Sequence, residues 1–134
     1  MPTPPEPQLD AQELAAFRRG VAQFNAGLYF ECHDTIEDVW SGVRGPARDF
    51  FQGLIQVAVG RYHWSRGNTA GALSLFGRAR KRLEAYGDRY WGFDLAAQRA
   101  ALLDWCERLA RDEAPPEPPP RWRFDWDPGP DGAA

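Results

Sequence analysis

The middle of the chain carries apolar side chains at helical spacing. The first such stripe consists of Leu14, Phe17, Val21 and Phe24. Asp10 and Glu13 have the spacing of a capping box, in which each side chain accepts a hydrogen bond from the backbone N–H of the other residue at the start of a helix. Gly27 suits the position that follows the end of a helix. Together these features predict a first helix over about residues 10–26.

The same reasoning predicts further helices and no sheet. Helix two is expected over about residues 29–42, helix three over 46–66, helix four over 68–87, and helix five from 94 onward. β-branched residues are scarce and no run alternates in the manner of a strand. The fold class is therefore predicted to be all-α, a single-domain bundle of about five helices.

Two of the predicted turns resemble each other at a forty-residue offset. Phe24-x-x-Gly27-x-Tyr29-x-x-Cys32 matches Trp64-x-x-Gly67-x-Thr69-x-x-Ala72. Each turn is short, so the helices on either side of it are expected to run antiparallel. The bundle is thus predicted to consist of two antiparallel helical hairpins and a C-terminal helix.

Proline marks both ends of this bundle. Of 12 prolines, four lie in residues 1–7, seven in residues 115–130, and only Pro46 lies between. Proline lacks the backbone N–H that helices and central strands need. We therefore expect extended tails over 1–8 and 115–134, with the helical domain over 9–114. The second tail carries Trp122, Phe124 and Trp126, which should pack on the helices or on a neighbouring subunit because burial of aromatic rings is favourable.

Charge and composition narrow the class of protein. The net charge of the 134 residues is −3, and 43% of them are hydrophobic. Residues 8–114 hold 14 basic and 14 acidic side chains, a balance that argues against nucleic-acid binding. No apolar run is long enough to span a membrane and no signal peptide is evident, so the sequence predicts a cytoplasmic protein without a membrane partner. The two cysteines lack the spacing of a redox or zinc motif and are expected to be small buried residues.

The second helix carries polar groups beside its expected core. Tyr29, His33, Glu37 and Trp40 form one stripe if residues 29–40 are helical. Phe30 and Ile36 adjoin that stripe and are expected to face the interior. In helix three, Gln52 and Gln56 belong to a polar stripe on an otherwise apolar helix. These six polar or aromatic residues are the candidate binding site: Tyr29, His33, Glu37, Trp40, Gln52 and Gln56.

Several interpretations of this site are open. The groups could form a buried network in which His33 and Glu37 face Gln52 and Gln56 across the contact of helices two and three. They could instead line an open pocket for a small ligand or a peptide. A metal site would need a third ligand, for which the candidates are Asp34, Asp38, Asp49 and His63. Acid–base catalysis would need a nucleophile, and those nearby are Cys32, Thr35 and Ser41.

Three motifs in order give the chain a family resemblance. They are Phe24-Asn25-x-Gly27-x-Tyr29-Phe30-Glu31-x-His33-Asp34-x-x-Glu37-x-x-Trp40, Arg48-Asp49-Phe50-Phe51-Gln52-Gly53-Leu54-Ile55-Gln56, and Arg66-Gly67-Asn68-x-x-Gly71-Ala72. Over roughly residues 20–85 the chain resembles the domain of unknown function 309 family of small helical prokaryotic proteins. The resemblance implies a compact helical bundle and brings no activity, substrate or cofactor with it.

The sequence as a whole favours a non-catalytic binding or scaffolding module. No catalytic residue, metal ligand or cofactor is assigned, and the partner, whether a small ligand, another protein or a second copy of the chain, is left open. The alternative is a metal-dependent or acid–base hydrolase that uses His33 and Glu37.

Overall fold

The computed structural model describes residues 3–129, which form five α-helices. They are α1 (Ala11–Asn25), α2 (Tyr29–Gly42), α3 (Arg48–Ser65), α4 (Thr69–Leu83) and α5 (Leu95–Ala110). The start of α1 has the predicted reciprocal cap, because Glu13 N donates to Asp10 Oδ1 at 2.7 Å and Asp10 N donates to Glu13 Oε1 at 3.0 Å. The prediction of a mostly all-α, single-domain protein is confirmed.

The two hairpin turns have the same backbone design. Gly27 and Gly67 adopt φ angles of 80° and 77°, a region that favours glycine. In the first turn Leu28 N donates to Gln23 O at 2.9 Å, and in the second Asn68 N donates to His63 O at 2.8 Å. This six-residue hydrogen bond ends both helices in the same way. The similarity seen in the sequence is thus a repeated helix ending.

The helix α3 is the centre of the bundle. It packs against α2 on one side and α4 on the other, while α1 packs on α2 and α5 packs on α4. Its side chains Phe50, Phe51 and Leu54 are fully buried. The phenol of Tyr86, in the short 3-10 turn Glu84–Tyr86 after α4, donates to Pro46 O just before α3 at 2.5 Å. The central position predicted for helix three is confirmed.

A small β-hairpin lies where the sequence indicated only a connector. Strands β1 (Arg89–Tyr90) and β2 (Phe93–Asp94) pair antiparallel, with Tyr90 opposite Phe93. Trp91 and Gly92 between them have φ angles of 51° and 75°, as a tight two-residue hairpin turn requires. The sequence contains no alternating strand of useful length here, because two-residue strands are too short to show alternation, and this small hairpin leaves the fold mostly all-α.

The aromatic residues of the C-terminal tail pack on the helical body, as predicted. Trp122 and Phe124 are 3% and 1% exposed. The Trp122 ring stacks on Phe24 of α1 with 3.8 Å between centroids, and Phe124 forms a β-bridge with Phe93. Trp126 Nε1 donates to Trp91 O at 2.8 Å. The limits of the helical domain at residues 9 and 114 remain a prediction.

The N-terminal stretch touches the same region. Tyr90 donates its hydroxyl to Pro5 O at 2.6 Å, and Trp91 N donates to a Glu6 carboxylate oxygen at 3.0 Å. Within residues 3–129, none of the helices has the length and apolar character needed to cross a lipid bilayer.

Candidate functional site

The imidazole of His33 contacts the carboxylate of Glu37 on the surface of α2. The Nε2 and Oε2 atoms are 2.8 Å apart, one helical turn from each other. The side chain of His33 is 25% exposed and that of Glu37 is 52% exposed. The buried side chains of α2 are Cys32, Ile36 and Val39. His33 and Glu37 each follow one of these by one residue, so they lie about 100° around the helix, at the border of the buried face.

The hydrogen bonds of the predicted buried network are not formed in the described part of this structure. In residues 3–129, His33 Nδ1 and Gln56 Oε1 are buried atoms without a hydrogen-bond partner. An oxygen of Asp34 lies 3.3 Å from His33 Nδ1, but not in hydrogen-bonding geometry. The pair with Glu37 is partly open to solvent instead of enclosed by glutamines, because the rotation of α2 puts its apolar line against the bundle.

The other predicted site residues are dispersed along α2 and α3. The Tyr29 ring lies against Phe24 at 5.2 Å and under the Arg61 guanidinium at 5.0 Å. Trp40 is covered by the Arg48 guanidinium, 3.8 Å from its ring centroid. Gln52 is half-buried and Gln56 is buried. Of the six predicted residues, only His33 and Glu37 share a polar contact in the described part of the chain.

The structure adds Phe30, which was expected to face the interior. Its side chain is 47% exposed, whereas the other seven phenylalanines are at most 4% exposed. Its ring lies 5.7 Å from His33 and 5.3 Å from Tyr62 of α3. Phe30, His33 and Glu37 follow the i, i+3, i+7 pattern of one helix face, a signal that could have placed Phe30 with the polar stripe. We call Phe30, His33, Glu37 and Tyr62 the Phe30 surface.

Acidic side chains flank this surface along α2. The helix α2 contains Glu31, Asp34, Glu37 and Asp38 and no lysine or arginine. Asp34 and Asp38 lie within about 80° of Phe30 around the helix axis. Both are exposed. On the α2 side the surface therefore combines an accessible aromatic ring with acidic side chains, and on the α3 side the Arg66 guanidinium lies 5.8 Å from the centroid of the Tyr62 ring.

Two of the metal-ligand candidates have other partners. Asp49 accepts from Arg82 at 2.5 Å, and His63 Nδ1 lies 3.1 Å from the amide nitrogen of Asn68. Across residues 3–129, no group of three or more His, Cys, Asp or Glu side chains is arranged to hold an ion. The His33–Glu37 contact thus stands as a pair.

Two of the candidate nucleophiles near the pair, Cys32 and Ser41, lie in different surroundings. Burial of the Cys32 side chain raises the pKa of its thiol to about 12. Because the thiolate is the reactive form, this cysteine is inert at neutral pH. Ser41 donates its hydroxyl to Asp38 O at 2.8 Å at the end of α2. The pair is a close contact of an imidazole and a carboxylate, and neither Cys32 nor Ser41 is an activated nucleophile beside it.

A buried arginine lies behind Tyr29. Arg61 of α3 is 5% exposed, and its guanidinium carbon lies 5.0 Å from the Tyr29 ring, 5.5 Å from Trp64 and 4.9 Å from Trp105. Desolvation lowers the pKa of Arg61 and raises that of Tyr29. Cation–π contacts to three rings offset part of the cost of burying this charge. Arg61 therefore connects α2, α3 and α5. Its contact with the Tyr29 ring indicates that Tyr29 has a packing role.

Comparisons with known proteins find matches in the region that contains the sequence motifs and the candidate site. Residues 17–75 match the model of a family described as a domain of unknown function (DUF309), which confirms the family resemblance from α1 into α4. Over 58 residues the chain is 41% identical to the uncharacterized protein YpuF of Bacillus subtilis strain 168. That alignment covers 42% of this chain and 33% of the relative, so the chain matches about a third of that protein's length.

Proposed function

We propose that this protein is a non-catalytic binding module whose Phe30 surface receives a segment of another protein. The observation that carries the proposal is the 47% exposure of Phe30 in a chain whose other phenylalanines are buried. An aromatic ring of this size gains about 1.5–3 kcal/mol when it is removed from water. Tyr62 and His33 flank the ring and give it the shape of a small amphipathic platform.

The charges around Phe30 indicate the chemistry of the partner. Asp34, Glu37 and Asp38 would favour lysine or arginine, and the Phe30 ring would favour an apolar residue beside them. A basic amphipathic segment has both features. Within this surface, Nε2 of His33 lies 2.8 Å from the carboxylate of Glu37.

The hydrolase alternative rests on the same 2.8 Å contact, because a carboxylate can orient an imidazole for proton transfer. It requires a nucleophile or an activated water in addition.

Localisation in the cytoplasm of a prokaryotic cell is also part of the proposal and rests on sequence patterns alone.

The proposal is tested by affinity capture from cell extract with three baits, the unchanged protein, Phe30→Ser and Leu103→Ser. Leu103 of α5 is 46% exposed, so the second variant removes a comparable apolar side chain from another surface. We expect that at least one protein from the extract binds to the unchanged bait and to Leu103→Ser. The same protein should not bind to Phe30→Ser. The same proteins at the same yield on all baits would contradict the proposal. Loss of histidine-dependent hydrolysis in His33→Ala, without loss of capture, would favour the alternative.

A further inference from the structure

A groove lies between α1 and the extended segment 121–129. It has a volume of about 880 Å³. Its lining includes four arginines and two aspartates, a net charge of +2 in a protein of net charge −3. Val21 and Ala22 of α1 add an apolar wall. The groove is therefore a local positive region on an acidic protein.

Both aspartates of the groove already have cationic partners. Asp127 accepts from Arg18 at 2.8 Å, and its side chain is only 10% exposed. Asp125 accepts from Arg89. Within residues 3–129, Arg19, Arg121 and Arg123 form no ion pair. In the part of the chain that the structure describes, these three guanidinium groups of the groove therefore have no carboxylate partner.

The segment that carries two of these arginines is firmly positioned. Asn25 binds both the N–H and the carbonyl of Trp122, and Trp122 Nε1 donates to Gln98 Oε1 at 2.9 Å. Side chains 121–125 alternate between exposed and buried, as in a β-strand with one face on the core. Arg121 and Arg123 therefore project to the same side, about 6.5–7 Å apart along the chain.

We propose that this groove binds an extended acidic peptide segment of a partner protein, with carboxylates at alternating positions. Such a peptide repeats its side chains at the spacing that separates Arg121 from Arg123, so two carboxylates can meet two guanidiniums. Arg19 of α1 faces the groove from the other wall and supplies a third positive group. The segment is held in place before binding, which lowers the ordering cost of association.

The test measures fluorescence anisotropy of two dye-labelled peptides, Gly-Glu-Ala-Glu-Ala-Glu-Gly and its counterpart with glutamine in place of each glutamate. The protein is the full chain at low ionic strength. We expect binding of the glutamate peptide only. The double variant Arg121→Gln/Arg123→Gln should weaken it by roughly tenfold or more, because charged contacts to carboxylates are lost.

Arg78→Gln/Arg80→Gln is the matched control. It removes the same charge from exposed arginines two residues apart on α4 and should change affinity less than about twofold. Arg19→Gln gives a second test that leaves the docked segment intact, and it should also weaken binding. Thermal melts confirm that each variant is folded.

Several outcomes would overturn the proposal. They are equal binding of the two peptides, no binding of either, or equal losses in the groove and control variants. Tighter binding of pyrophosphate or of a single-stranded DNA oligonucleotide at the same groove would assign it to phosphates instead. Concentration-dependent self-association that the Arg121→Gln/Arg123→Gln variant abolishes would assign it to a second copy of the chain.

Discussion

Asn25 holds Trp122 by both ends of one amide group. Asn25 Nδ2 donates to Trp122 O at 2.9 Å, and Trp122 N donates to Asn25 Oδ1 at 2.7 Å. Asn25 is the last residue of α1, whereas Trp122 lies in the proline-rich tail. The amide reproduces the pairing of a neighbouring β-strand and so fixes the register of the tail on the bundle.

Replacement of Asn25 by alanine should destabilise the protein by about 1–3 kcal/mol, because it leaves two half-buried backbone groups of Trp122 without partners. Urea unfolding measures this change. Gln12→Ala, which alters an exposed polar residue of the same helix, is the control and should stay within about 0.5 kcal/mol. Equal stability of the Asn25 and Gln12 variants would show that the tail is not anchored in this way.

Two buried glutamines should respond differently to replacement by methionine. Gln98 is 7% exposed and accepts from Trp122 Nε1, so Gln98→Met should cost about 1–3 kcal/mol. Gln56 is 6% exposed and its Oε1 has no hydrogen-bond partner within residues 3–129. Gln56→Met should therefore be neutral or stabilising by up to about 1 kcal/mol. Comparable destabilisation by both substitutions, measured by chemical unfolding, would indicate that Gln56 Oε1 is satisfied in solution.

Much of the fold could be predicted from the sequence because local signals and tertiary packing agree. The cap at Asp10 and Glu13 and the turns at Gly27 and Gly67 all specify helix ends where the structure has them. The hairpin at Trp91-Gly92 could not be predicted from periodicity, since its two-residue strands carry no pattern.

The candidate site could be predicted only in part. The His33–Glu37 contact follows from i, i+4 spacing, which any helix provides. Contact with Gln52 and Gln56 depends on how far α2 is rotated toward α3, and no local pattern fixes that angle. Phe30 was assigned to the core by its apolar character, although Cys32, Ile36 and Val39 already define a buried line on the opposite side. The groove between α1 and the segment 121–129 could not be predicted, because it forms only through the path that the tail takes along α1.

Because the Cys32 thiol is buried, we expect the protein to lose stability at alkaline pH. Its pKa is raised from 9.0 to about 12 by desolvation. Between these pH values the unfolded chain loses the Cys32 proton while the folded chain keeps it. The contribution of Cys32 to the free energy of unfolding is therefore fully present below about pH 9 and is lost as the pH rises. The decrease is at most about 1.4 kcal/mol per pH unit for this group.

Cys32→Ala is the reference, since it removes the thiol and keeps the tyrosines whose pKa values are also raised, Tyr29, Tyr86 and Tyr90. The free energy of unfolding should fall more steeply with pH in the unchanged protein than in Cys32→Ala between about pH 9 and 10.5. Parallel curves would mean that Cys32 ionises equally in both states.

The most direct test of the binding-module account is photo-crosslinking in living cells. The photoreactive amino acid p-benzoylphenylalanine is placed at position 30 in one strain and at position 103 in another, because Phe30 and Leu103 are 47% and 46% exposed. The account predicts a discrete crosslinked protein from position 30 and none of the same mass from position 103. The absence of any adduct at position 30, or the same adducts at both positions, would contradict it.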